Sequence, residues 1–179
     1  DAQKFAQFWP GPLTLVAPAK AGQILHSVRA GHTTLAVRVP QHPLTLELLK
    51  KTGPLVAPSA NLSGRPSSTQ AAHVERDFGS EFPVLDGGAC RSGVESTIIE
   101  CFPNNSWRIL RQGALSEEFL SHTWGPAQNS NSSNKPMTPG QKYRHYAPSA
   151  QLIPTDTLSQ WDWSSTPMID AVLGFAESL

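Results

Sequence analysis

The sequence predicts a mixed α and β sheet domain, in either the α/β or the α+β class. Three observations carry this. Thr33 to Val39 alternates in character, Leu44 to Lys51 has helical spacing closed by Gly53, and Val94 to Glu100 is a β-branched run. The 179 residues are enough for one domain and the beginning of another.

Asp1 to Phe8 reads as the middle of a helix, with Phe5 and Phe8 closing a short amphipathic segment. The W-P-G-P run at Trp9 to Pro12 must break it. Leu13 to Ala17 follows as a short buried strand. In the next strand Thr33, Leu35, Val37 and Val39 point one way, and Thr34, Ala36 and Arg38 the other. Pro40 ends it. After the helix comes Leu55 to Ala57, read as a short apolar strand that leads into the loop S-A-N-L-S-G-R-P. Thr69 is placed to cap a helix through Ala71, Ala72, Val74 and Phe78, stopped by Gly79. Val84 and Leu85 precede the loop D-G-G-A-C-R-S-G, and Trp107 to Leu110 is expected to pair with the β-branched strand. Ser116 followed by Glu117 and Glu118 starts a last helix. Gly125 to Gln141, rich in Asn, Ser, Pro and Gly, reads as a flexible linker, and Ala150 to Ile153 as the first strand of another unit.

Charge is balanced, with 14 basic and 14 acidic side chains, which argues against a general nucleic-acid binder while leaving room for a local basic patch. Two cysteines, Cys90 and Cys101, form neither a Cys-x-x-Cys motif nor a disulfide framework, and so favour a reducing compartment. No apolar run reaches the roughly 18 residues of a membrane span, and no leader is read at the start. The expectation is a soluble, cytoplasmic protein without membrane contact. The first and last residues read as cuts from a longer protein.

Four polar constellations fall near strand ends, where α/β proteins place ligands. Thr34 and Arg38 share one strand face with only Ala36 between them. An arginine there suits a carboxylate or phosphate, or else a structural ion pair on an exposed sheet face. Ala57 to Thr69 is a donor-rich loop in which Ser59 and Asn61 are best placed, although a plain turn with a helix cap reads equally from it. It is not a Walker loop. Gly87 to Ile99 combines glycines that free backbone donors with Ser96 at the start of a buried strand; Cys90 reads as a passive small residue. Arg111 ends a strand before Gly113, as a ligand contact or a solvated surface group.

The order of the motifs adds what none gives alone. F-W-P-G-P-L-T, A-V-R-V-P-Q-H-P, A-P-S-A-N-L-S-G-R-P, G-V-E-S-T-I-I and R-I-L-R-Q-G-A succeed one another between Phe8 and Ala114. K-Y-R-H-Y-A-P follows at Lys142 to Pro148. This succession resembles the YrdC-like threonylcarbamoyl-AMP synthases, and the last motif resembles the linker of their long, two-domain type. The resemblance implies an α/β, YrdC-like twisted mixed sheet with flanking helices and a concave cavity. It implies a partial catalytic domain over residues 1–124, a linker over 125–148 and the start of a truncated second α/β domain over 149–179.

The implied activity joins L-threonine, bicarbonate and ATP into threonylcarbamoyl-AMP and pyrophosphate, with Mg²⁺ as helper. Downstream transfer machinery then passes the threonylcarbamoyl group to adenosine 37 of tRNA. By position, Arg38 resembles the clamp on the threonine carboxylate, with Ser59 and Ser96 near the threonine. Thr34, Asn61, Thr69 and Arg111 resemble ATP contacts, and His145 and Tyr146 resemble linker residues that fold over the nucleotide. No catalytic residue and no metal ligand is assigned. The family's upstream basic segments, which bind triphosphate, are not found here, so little activity is expected of these 179 residues alone. Gln141 stands where the linker motif more often has Met. A double-stranded RNA-binding module without catalysis is the rival reading. The related hydrogenase-maturation carbamoyltransferase would add zinc-finger cysteines that this sequence lacks.

Overall fold

In the computed structural model, which describes residues 2–128 apart from Ala21 and Gln23, the strand signals become a four-stranded mixed sheet. In chain order the elements are a 3-10 helix at Ala2–Phe8, β1 at Leu13–Pro18, β2 at Thr34–Val37 and α1 at Pro43–Thr52. Then come α2 at Ala71–Phe78, β3 at Thr97–Cys101, β4 at Trp107–Arg111 and α3 at Glu117–Trp124. The sheet order is β2-β1-β3-β4. β1 runs parallel to β3 and antiparallel to β2, and β3 runs antiparallel to β4.

This topology decides which chain ends meet. The long crossover between β1 and β3 returns the chain to the same sheet end, so the starts of both strands lie together. β2 and β4, each antiparallel to its neighbour, finish at that end. Gly11 to Thr14, Arg38, Ser96 and Arg111 are thereby gathered from four separate stretches of sequence.

The two sheet faces differ. One carries Leu13 and Leu15 of β1, Ile99 and Cys101 of β3 and Trp107 of β4, packed with Phe5 and Leu120. Phe5, Leu13, Ile99 and Leu120 are each fully buried, and each contributes about 1.5–3 kcal/mol of transfer free energy. Trp124 of α3 lies edge-on to Phe5, Phe8 and Trp107, with ring centroids 4.8, 5.2 and 5.6 Å apart, and closes this core. α3 starts where expected: the Ser116 side chain accepts from the Phe119 N–H at 3.2 Å, and Glu117 and Glu118 occupy its first turn.

α1 also keeps its expected bounds to within a residue. Lys50 and Lys51 sit in its last turn, and Gly53 follows with φ of 75°. It buries none of its residues, and Leu44 and Leu48 remain exposed.

Several expectations need correction. The first segment is helical as read, but in the tighter 3-10 form. β2 and β3 are shorter than read, since Thr33, Arg38 and Val39 lie outside β2, and Val94 to Ser96 precede β3. Leu55 to Ala57 is not a strand. It lies between Pro54 and Pro58, which offer no ladder donors, and Leu55 and Val56 are exposed. Thr69 does not cap α2: the N-cap is Gln70, which makes no side-chain bond. The linker beyond Gln128 and the strand at Ala150 lie outside the described residues.

Candidate functional site

The site is built on the sheet face opposite the aromatic core, at the end where the four strand termini meet. Thr14 alternates with Leu13 and Leu15 and so faces away from the core. Ser96 is 7% exposed, and its Oγ lies 2.8 Å from Thr14 Oγ1. Arg111 reaches the same point from β4. Its Nη2 donates to the Ser96 carbonyl at 2.9 Å and to Ser96 Oγ at 3.3 Å, while its Nε donates to the same carbonyl at 3.3 Å.

Simple alternation would put Arg111 on the core side with Trp107 and Ile109. It does not lie there. Ile99 pairs with Ile109 but Ile98 pairs with Arg111, so Leu110 is an extra residue in β4. This bulge turns Arg111 onto the face of Ile98 and Ser96, a re-aiming typical of bulges beside functional sites.

Arg38 follows directly after β2. Its Nε donates to the Gly11 carbonyl at 3.0 Å, and the Gly11 N–H donates to Val39 O at 2.9 Å. The residue as a whole is exposed, yet partial burial of the guanidinium lowers its pKa, and the neighbouring charge of Arg111 lowers it further. Among the described residues neither Arg38 nor Arg111 forms an ion pair; those present are Arg65–Asp77 and Arg108–Glu100. Two adjacent guanidiniums without a carboxylate partner favour an anion between or beside them. The structural ion pair left open for Arg38 is not found among the described residues.

Gly113 allows the backbones to come this close. A Cβ there would lie 2.5 Å from Glu95 O and from Ser96 C, and 2.6 Å from Thr97 N. The Ala114 N–H donates to Glu95 O at 2.9 Å. Thr97, fully buried, donates from Oγ1 to Leu115 O at 2.6 Å and accepts from the Leu115 N–H at 2.9 Å. The turn after β4 is thus riveted to the start of β3.

The donor-rich loop is tied to the site through Ser67, whose Oγ donates to Glu95 Oε1 at 2.8 Å. Within the loop, Asn61 donates both amide protons inward, to Leu62 O at 2.9 Å and Arg65 O at 3.0 Å. Its Oδ1 is buried without a hydrogen-bond partner among the described residues. Asp77 of α2 holds the loop by accepting from the Leu62 N–H at 3.0 Å and from Arg65. That backbone hydrogen bond, with Arg65 beside it, keeps the Asp77 carboxyl below its ordinary value. Thr69 lies beside the His73 ring, with Oγ1 3.4 Å from Nδ1, and its carbonyl accepts from the Cys90 N–H at 2.8 Å. Ser59 is exposed. Thr34 is half-buried at the far end of β2 from Arg38.

The structure therefore brings together Arg38, Ser96 and Arg111, and joins the Asn61–Thr69 loop to them through Glu95. His145 and Tyr146 lie outside the described residues. Sequence reasoning missed Thr14, Ser67 and Glu95. The first stands inside F-W-P-G-P-L-T and the last inside G-V-E-S-T-I-I, but only the parallel pairing of β1 and β3 reveals that Thr14 meets Ser96.

The chain is similar to known proteins over most of its length. The family model described as telomere recombination, that of the Sua5, YciO and YrdC proteins, matches residues 2–113. The chain belongs to the Sua5/YciO/YrdC family. A second model, the threonylcarbamoyl-AMP synthase C-terminal domain, matches residues 108–173.

Among curated family members, threonylcarbamoyl-AMP synthase of Bacillus subtilis is 43% identical over 82% of this chain and 44% of its own length. The synthase of Pyrococcus abyssi is 44% identical over 86% of this chain and 47% of its own length. That of Schizosaccharomyces pombe is 43% identical over 82% and 40% respectively. The chain thus spans about half the length of the curated relatives it matches. The crystal structure of P. abyssi Sua5 complexed with L-threonine superposes with a TM-score of 0.73 at 42% identity, over 84% of this chain and 46% of that one.

Other chemistry is sparse among the described residues. Both cysteines are free; Cys90 is exposed, and burial pushes the Cys101 thiol up to about 12. No group of three or more His, Cys, Asp or Glu comes together to hold a metal ion. No helix there is long and apolar enough to cross a membrane.

Proposed function

We propose that this chain carries the threonine-binding side of an L-threonylcarbamoyladenylate synthase. One observation carries the reading: the Arg111 guanidinium binds the buried Ser96 and lies near enough to Arg38 for their charges to interact, and neither arginine has an acidic partner among the described residues. The likeness to a Sua5 structure complexed with L-threonine supports a threonine ligand at this place.

In this reading the carbamate formed from L-threonine and bicarbonate attacks the α-phosphorus of ATP, and pyrophosphate leaves. Both reactants are anionic. The work of the protein is to hold them close and neutralise their charge. Arg38 clamps the threonine carboxylate, with Ser59 and Ser96 beside the threonine. Arg111, bonded to the Ser96 carbonyl, stands where it can face the nucleotide phosphate. Thr34, Asn61 and Thr69 contact the nucleotide. His145 and Tyr146 close over it and exclude water from a hydrolysable mixed anhydride. The described residues supply no donor set for a metal cage, so Mg²⁺ belongs on the phosphates of ATP and no step is assigned to it.

The product serves tRNA threonylcarbamoylation at adenosine 37 through separate transfer machinery, in the cytoplasm. Residues 1–124 act as the catalytic part, 125–148 as the linker and 149–179 as the start of the second domain. Balanced charge does not favour the rival RNA-binding module.

Calorimetric titration of L-threonine into the 179-residue chain tests the proposal. Binding that weakens at least about tenfold in Arg38→Ala is expected, since a charge-assisted hydrogen bond is lost. Absence of binding, or unchanged affinity in Arg38→Ala, refutes the site. Mass-spectrometric detection of threonylcarbamoyl-AMP tests the chemistry.

A further inference from the structure

Ser96 is surrounded by hydrogen-bonding groups whose directions can be worked out. Its hydroxyl has one proton and two acceptor positions. Arg111 can only donate, so its Nη2 contact at 3.3 Å takes one acceptor position of Ser96 Oγ. The other partner is Thr14 Oγ1 at 2.8 Å, where either hydroxyl could give the proton.

The two choices are unequal once a ligand is bound. If Ser96 donates to Thr14, the Ser96 lone pair left over faces the ligand. A ligand held beside Arg38 and Arg111 is an anion, and a carboxylate or carbamate offers only acceptor oxygens. Lone pair would then meet lone pair, and the Thr14 proton would have no hydrogen-bonded acceptor among the described residues. If Thr14 donates to Ser96, both acceptor positions of Ser96 are filled. Its proton is then free for the ligand oxygen, and every group is satisfied.

We propose that Thr14 is a positioning residue, whose hydroxyl donates to Ser96 Oγ and so directs the Ser96 proton at the anionic group of the threonine ligand. This rests on the threonine-binding reading above for the identity of the ligand, while the direction of the Thr14–Ser96 bond follows for any anionic ligand held beside Arg38 and Arg111. The backbone is well suited to the task. Thr14 is fixed on β1 opposite Ile98 in the parallel ladder, and Ser96 is held by Arg111 through its own carbonyl. Neither needs to move when a ligand arrives.

Thr14→Val and Thr14→Ser separate the hydroxyl from the shape of the side chain. Valine keeps the branched form and suits a strand, and serine restores the hydroxyl. L-threonine affinity, measured by calorimetry on the full chain, should fall about five- to tenfold in Thr14→Val and recover in Thr14→Ser, the loss expected for one neutral hydrogen bond. Thermal midpoints should move little between the two variants. Equal affinity in Thr14→Val and the unsubstituted chain overturns the proposal, as does loss in both variants alike.

A neutron structure of the deuterated chain with acetate bound beside Arg38 and Arg111 reads the bond under an anionic ligand other than threonine. Deuterium on Thr14 Oγ1 directed at Ser96 supports the assignment, and deuterium on Ser96 directed at Thr14 overturns it. Should the unsubstituted chain bind no threonine, the threonine reading falls, and the neutron result alone decides the role of Thr14.

Discussion

Replacing Gly113 by alanine tests whether the start of β3 and the turn after β4 approach as closely as described. The added methyl would stand 2.5 Å from two backbone atoms of Glu95 and Ser96, and 2.6 Å from a third in Thr97. Reaching ordinary contact needs a retreat of about 0.9 Å, and none of the obstacles is the end of a flexible side chain. Overpacking of this sort costs about 1–3 kcal/mol. Separating the strands also breaks the Ala114 to Glu95 hydrogen bond, for about 1 kcal/mol more. The total, about 2–4 kcal/mol, lowers the thermal midpoint by about 8–16 °C for a domain of this size.

Thermal and urea unfolding followed by tryptophan fluorescence suit the measurement, because Trp107 is almost fully buried beside Trp124. The same displacement pulls Ser96 from Arg111, so L-threonine affinity should fall too. A midpoint within about 3 °C of the unsubstituted chain would show that the backbones do not meet in this way.

Two further outcomes follow from the titrating groups. Asp77 is held below its ordinary value of 3.8 by the Leu62 N–H and by Arg65. Because the folded value is depressed, its contribution is present above pH 3.8 and lost as pH falls through the lowered value. Carbon-detected NMR should place its midpoint below 3.8, with the Leu62 and Arg65 signals moving in step; a midpoint above 3.8 contradicts the clasp. With its thiol pushed up to about 12, buried Cys101 should resist iodoacetamide at pH 8 while exposed Cys90 reacts. Equal rates at the two positions in the folded chain would contradict this arrangement.

What could be read from sequence was local. α1 with Gly53, α3 with its Ser116 cap and the pairing of β3 with β4 are written in neighbouring residues; the structure has α1 within a residue, α3 capped as expected and the strands paired, with β3 starting three residues later than read. Leu55 to Ala57 failed because a strand needs a partner as well as apolar content, and flanking prolines leave few donors. Thr69 failed as a cap because its hydroxyl lies against His73 instead. At the site, Arg38 and Ser96 were legible as polar groups at strand ends. Thr14 was not, since its meaning depends on a strand 82 residues away. Asn61 was read correctly as part of a polar loop, yet its protons turn inward to shape that loop.

The extra residue in β4 has a consequence for sequence change along this strand. Facing there depends on whether the number of residues between Trp107 and Arg111 is odd or even, and Leu110 sets that parity. Losing one residue would not just shorten the strand. It would exchange the bulge for regular pairing, with the same arginine still facing Ser96 from a flatter, less twisted edge. Losing the bulge while keeping all five residues would instead send the guanidinium toward the tryptophans. Insertions and deletions in this stretch are therefore not graded by length: the strand tolerates a shorter spelling of the same parity relation better than a straightened one of full length.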